Sequence, residues 1–138
     1  MNLMTPDQVA TLPASGVVSV DLHTHRHRVP LDPTLFSRET VENRDRIVAM
    51  TGISSDHFCY PSGDYHPEFL PWLSEARVKS ATTCEVGFAS RASHPLLLPR
   101  FLDTNTLTSL EFEAWLAGVS QVLPRRRVPA HRVVGEPA

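Results

Sequence analysis

Val17-Val18-Ser19-Val20-Asp21-Leu22-His23-Thr24-His25-Arg26-His27 decides how this chain is read. Val17 to Leu22 is β-branched and mostly apolar, the pattern of a buried strand. Three of the chain's seven histidines follow directly in five residues, so they fall at the strand's C-terminal end. His23 and His27 stand four apart. In a helical turn that spacing puts two side chains on one face, and imidazole nitrogens are favoured zinc ligands. Read alone, a histidine triplet is also compatible with an exposed polar loop.

Upstream, Thr5-Pro6-Asp7-Gln8 carries a capping residue, a proline at the first helical position and a glutamine at the third, which predicts a helix to about Ala14 closed by Gly16. Downstream, Ser37 is a candidate cap for a helix over 37–51, with Val41, Ile47, Val48 and Met50 as its apolar face and Gly52 as its end. Phe58-Cys59-Tyr60 is a short strand delivered into a Pro61 and Gly63 turn, where sites tend to lie. A third helix is expected over 66–77, although Pro71 is compatible only with its first turn. Val78 to Thr83 and Pro95 to Leu102 are further strand candidates, and Thr108-Ser109-Leu110-Glu111 is a capping box opening a helix to about Val122. Strands alternating with helices imply an α/β layout with parallel strands. The expected organisation is one domain over 1–123 and a disordered tail over 124–138, where Arg125-Arg126-Arg127 and scattered prolines occur.

Composition bounds the partners. With 41% hydrophobic and 20% charged residues, the 138-residue chain has material for one core. A formal net charge of −2 offers no field for nucleic acid or an anionic membrane, so neither is expected as a partner. No stretch approaches the roughly 18 apolar residues of a membrane span, and the first fifteen residues lack a charged leader with an apolar run, so a cytoplasmic location is expected. Cys59 and Cys84 are too few for a disulfide framework and read as small buried hydrophobes.

In order along the chain stand Met4-Thr5-Pro6-Asp7-Gln8-Val9, Ser15-Gly16-Val17-Val18, His23-Thr24-His25-Arg26-His27, Thr51-Gly52, Phe58-Cys59-Tyr60-Pro61-Ser62-Gly63-Asp64-Tyr65 and Leu98-Pro99-Arg100. Together they resemble the C-terminal portion of a polysaccharide-deacetylase (NodB-type) domain: a leading helix, a glycine and strand, H-T-x-x-H, a helix ending in glycine, F-x-Y-P-x-G and a closing L-P-R. The resemblance implies a partial deacetylase-type (β/α) barrel and metal-dependent hydrolysis of N-acetyl groups on a carbohydrate. It makes His23 and His27 ligands of a divalent metal, zinc above all, with Thr24 beneath them and His25 at a variable position. It places Tyr60, Pro61, Ser62 and Gly63 along the substrate groove, with the Ser62 N–H as an oxyanion donor. Read without the resemblance, the same turn is a rigid strand-end loop. Arg100 either steadies a carboxylate near the site or caps the barrel end. His57, His66 and His94 qualify as general acids by residue type alone and read as surface histidines.

One family feature has no counterpart. Family deacetylases use an Asp-Asp motif as base and third ligand on a strand well before H-T-x-x-H, whereas 22 residues precede His23 here and no Asp-Asp pair occurs in the chain. Asp21, two residues before His23 and on the same side of a strand, is the nearest local carboxylate and the candidate to complete the metal site. The implied consequences are a weak or incomplete metal site and self-association, or a missing N-terminal half, to cover the exposed edge of an incomplete barrel. The competing reading is a non-catalytic carbohydrate-binding or assembly module derived from a deacetylase.

Overall fold

The structure, a computed structural model, describes residues 3–119. The first helix, α1 (Pro6–Thr11), begins on the expected capping box: Thr5 Oγ1 accepts from the Gln8 N–H and Gln8 Oε1 accepts from the Thr5 N–H. It ends before Ala14 because Pro13 has no N–H to continue the ladder, and Pro13–Ser15 form a separate tight turn closed by Gly16.

The expected strand over Val17 to Leu22 forms at its last residue alone. Leu22 donates to the His57 carbonyl and accepts from the Cys59 N–H, a parallel bridge to Phe58, whereas Val17 is 87% exposed and Val18 42%. The neighbouring strand begins only at His57, so the residues before Leu22 meet no ladder.

Helix α2 (Pro33–Thr51) starts a turn earlier than expected. Asp32 caps it through the Leu35 N–H and Pro33 occupies the first position, a stronger start than Ser37 offers. Gly52 ends it in the left-handed region, as expected. Its buried stripe is Phe36, Glu39, Thr40 and Ile47, whereas Val41 and Val48, assigned to the core from the pattern, are exposed.

Strand β1 (His57–Cys59) pairs in parallel with β2 (Ser80–Thr82), in the register His57↔Ser80, Phe58↔Ala81, Cys59↔Thr82. Thr82 bridges Leu98, again in parallel, so four extended segments lie side by side in chain order around Leu22, Phe58, Ala81 and Leu98. The link from β1 to β2 runs through α3 (Phe69–Glu75), shorter than the 66–77 expected. Pro71 is its third residue, where no intrahelical N–H bond is needed. The stretch from Pro95 to Leu102 contributes only the Leu98 bridge.

Helices α2 and α3 cover one face of this sheet. Phe36 stacks on Phe69 at 4.6 Å between ring centroids, and Leu22, Ile47, Phe58, Tyr60, Leu73, Val78, Ala81 and Leu96 complete the core. Helix α4 (Ser109–Leu116) opens on the expected Thr108 and Glu111 capping box and stops before Val122, with Gly118 left-handed. It docks through Trp115 on Phe101. The tail over 124–138 lies outside the described residues.

Candidate metal and substrate site

All four extended segments run the same way, so the residues after Leu22, Cys59, Thr82 and Leu98 emerge at one end of the sheet. His23 follows Leu22 there. Its N–H donates to Asn43 Oδ1 at 2.7 Å, and its Nδ1 lies 2.7 Å from the Cys59 carbonyl oxygen. A carbonyl can only accept, so Nδ1 carries a proton, and in the neutral ring Nε2 keeps its lone pair. The adjacent Cys59 raises the pKa of the ring above its ordinary value, against the opposing effects of burial and of the Arg100 charge. The thiol of Cys59 is in turn lowered, first by His23.

His27 comes alongside. The two rings lie 4.9 Å apart between centroids, edge to face at 68°. The segment between them is a loop, not the expected helical turn, with Thr24 (φ 58°) and His27 (φ 55°) both left-handed. Buried Thr24 lies beneath, accepting the Arg28 N–H on its hydroxyl. Glu39 of α2 closes the loop: its carbonyl accepts from the His25 N–H, while its carboxylate accepts from the Arg26 N–H and guanidinium. Burial pushes the Glu39 carboxyl up, but the Arg26 bonds outweigh this and hold it below the ordinary range.

Asp21 is not brought into this pair. Its two oxygens accept from Ser19 and Ser55, on the other side of Leu22, where a cavity of about 530 Å³ is lined by Val17, Val18, Ile53 and Ser55. Among the described residues no three His, Cys, Asp or Glu side chains come together to hold a metal ion. The histidine pair offers at most two imidazole donors, short of the three protein ligands usual in a catalytic zinc site.

The turn after β1 divides differently from the expected groove. Tyr60 alternates inward with Phe58, is fully buried and donates its hydroxyl to the Leu96 carbonyl at 3.0 Å; burial pushes its phenol far up. Pro61 and Gly63 are buried as well. Ser62, left-handed at φ 56°, is the exposed member. Gly63 is pressed against Cys84, where a Cβ would lie 2.5 Å from the Cys84 Cβ. Tyr60, Pro61 and Gly63 thus shape the turn from below instead of lining an open groove.

Arg100 donates its backbone N–H to the Glu85 carbonyl and its Nη2 to Cys84 Sγ at 3.2 Å, while its buried Nε has no partner. It pairs with no carboxylate among the described residues, and its charge is felt by both His23 and Cys59. His57, His66 and His94 are tied to Ser80, the Glu68 N–H and the Leu96 N–H respectively. Sequence reasoning missed Cys59, Asn43 and Glu39. The available signals were the alternation that turns Cys59 away from Phe58 and Tyr60, and a glutamate set in the buried stripe of α2.

Parallel strands joined by covering helices, with a histidine pair and a proline-glycine turn at the strand ends, make an α/β chain consistent with part of a (β/α) barrel. The polysaccharide deacetylase family profile matches residues 2–81, more than half of the chain, and the protein belongs to that family. The fold is similar to that of a polysaccharide deacetylase from Bacillus cereus (TM-score 0.71, 18% identity, 82% of this chain and 36% of that one). It is also similar to IcaB from Ammonifex degensii (TM-score 0.66, 21% identity, 81% of this chain and 50% of that one). A de-N-acetylase from Aggregatibacter actinomycetemcomitans gives a TM-score of 0.70 at 12% identity, over 81% of this chain and 53% of that one. These identities speak for the fold alone, and the chain spans 36% to 53% of the three proteins' lengths. No match was found among curated proteins. No helix among the described residues is long and apolar enough to cross a membrane.

Proposed function

We propose that this chain contributes the histidine half of a metal-dependent site for hydrolysing N-acetyl groups on a carbohydrate, and that its described residues do not supply the carboxylates to complete the reaction. The observation that carries the reading is the pairing of His23 and His27 at 4.9 Å, with the His23 Nδ1 committed to the Cys59 carbonyl and Nε2 left to bind. His23 and His27 would hold a divalent ion, zinc being the natural choice for two imidazoles, and such an ion supplies Lewis-acid polarisation of an amide carbonyl. The Ser62 N–H, on the exposed apex of the turn, would be the donor for a developing oxyanion. Arg100, half-buried and paired with no carboxylate among the described residues, would steady an acidic group brought by a further polypeptide segment.

The incomplete donor set favours one second reading. Without a third ligand among the described residues, the fold also suits a carbohydrate-binding or assembly module without catalysis. Equilibrium dialysis against zinc separates the two. The first reading expects weak retention that falls with either His23→Ala or His27→Ala. Zinc retention equal in the wild type and the double variant, with N-acetylated sugar oligomers bound equally by both, would overturn it in favour of the second.

A further inference from the structure

The loop from His23 to His27 spends two non-glycine residues, Thr24 and His27, in the left-handed region. Such a conformation persists only where its surroundings over-determine it. The surroundings here are one face of α2. Asn43 Oδ1 takes the His23 N–H at 2.7 Å, the Glu39 carbonyl takes the His25 N–H at 3.0 Å, and Glu39 Oε2 takes the Arg26 N–H at 2.8 Å. Glu39 and Asn43 stand one helical turn apart, so they meet the loop from the same side. Neither hydrogen-bonds to an imidazole ring. Glu39 is only 4% exposed, and a carboxylate at that depth is costly unless its oxygens are bonded. Its bonds go to the histidine loop: Oε2 to the Arg26 backbone, Oε1 to the Arg26 guanidinium, which also reaches Glu42.

We infer that Glu39 and Asn43 are positioning residues, which set the backbone of the histidine loop so that His23 and His27 converge. The inference rests on the metal-site reading for its purpose, but the convergence is observable without metal. The Cys59 carbonyl fixes the ring of His23 while Asn43 fixes its backbone, so both ends of that side chain are held. Glu39 then carries the chain round the bend that returns His27.

The test is magnetic resonance on the full chain, comparing wild type, Glu39→Ala, Glu39→Gln and Asn43→Ala. Without metal, amide hydrogen exchange at His25 and Arg26 should rise by about ten-fold or more in Glu39→Ala relative to Ala81 in the core, as the loss of such bonds predicts. The proton contact between the two imidazole rings should disappear. Glu39→Gln should restore most of both, since its amide oxygen still accepts the Arg26 N–H. With zinc added, affinity read from the imidazole resonances should fall by about 10- to 100-fold in the alanine variants, the usual consequence of losing a ligand's supporting partner. Should Glu39→Ala fail to fold, Asn43→Ala at a half-buried site carries the same comparison at the His23 amide. An unchanged ring contact, or exchange that rises only in step with Ala81, would overturn the inference. Wild-type imidazoles indifferent to zinc would instead overturn the metal reading, and the metal-free comparison would still decide positioning.

Discussion

Replacing Gly63 by alanine separates two effects that usually act together. Gly63 sits at φ 77°, and a Cβ there would meet Cys84 Cβ at 2.5 Å, Cys84 Sγ at 2.7 Å and the Cys84 backbone nitrogen at 2.9 Å. Gly52 has nearly the same φ, 72°, with nothing within 4 Å of its would-be Cβ. The left-handed conformation costs an L-residue about 1–2 kcal/mol at either site. Overpacking adds about 1–3 kcal/mol at Gly63 alone, because one of the offending atoms is backbone and cannot rotate away. Any gain from a stiffer unfolded chain is common to both substitutions and cancels. Gly63→Ala should therefore be less stable than Gly52→Ala by about 1–3 kcal/mol. With a urea dependence of about 2 kcal/mol per molar, the midpoint should fall lower by roughly 1 M. Adding Cys84→Gly should recover part of the loss, since it removes two of the three contacts. Equal midpoints for the two alanine variants would refute the close approach of the Pro61–Gly63 turn to Cys84.

Two further outcomes follow from the same contacts. Because Arg26 holds the Glu39 carboxyl below its ordinary value despite burial, Glu39 stabilises the fold above the ordinary glutamate pKa of about 4.3 and loses that contribution as pH falls through the lowered folded value. Glu39→Gln should flatten the acid limb of stability below that pH in denaturation curves, and an unchanged limb would exclude the Arg26 contact. The unpaired segment before Leu22, with Val17 and Val18 exposed, should support self-association, and Val17→Lys should weaken it. Light scattering of a wild-type monomer at high concentration would count against this.

What could be read from the sequence was local. The α1 capping box, the Gly52 helix end and the Thr108 cap each depend on residues within one turn of one another, and each forms as expected, whereas the strand expected at Phe58 to Tyr60 forms one residue earlier, at His57–Cys59, against its distant partner β2. The histidine spacing brought two rings together even though the intervening backbone is not helical. The misread parts depended on distant partners. Val17 to Asp21 has strand composition and no ladder to join. Tyr60 was placed in a groove because its motif suggested one, but alternation with Phe58 and the Leu96 carbonyl draw it into the core. Asp21 shares a strand side with His23 in principle, yet Ser19 and Ser55 claim its oxygens. Glu39 and Asn43 could not be linked to the histidine loop because 13 and 20 positions separate the bonded partners, Arg26 with Glu39 and His23 with Asn43.

The most direct test of the central claim is acetate release from N-acetylated sugar oligomers by the purified chain with added zinc, measured beside His23→Ala. Loss of a general base alone typically removes about 10² to 10⁴ in rate, and an incomplete ligand set weakens metal retention further. No metal-dependent release above that of His23→Ala is expected. A zinc-dependent rate that vanishes in His23→Ala would contradict it, and would show that the missing carboxylate has a substitute within the chain or its oligomer.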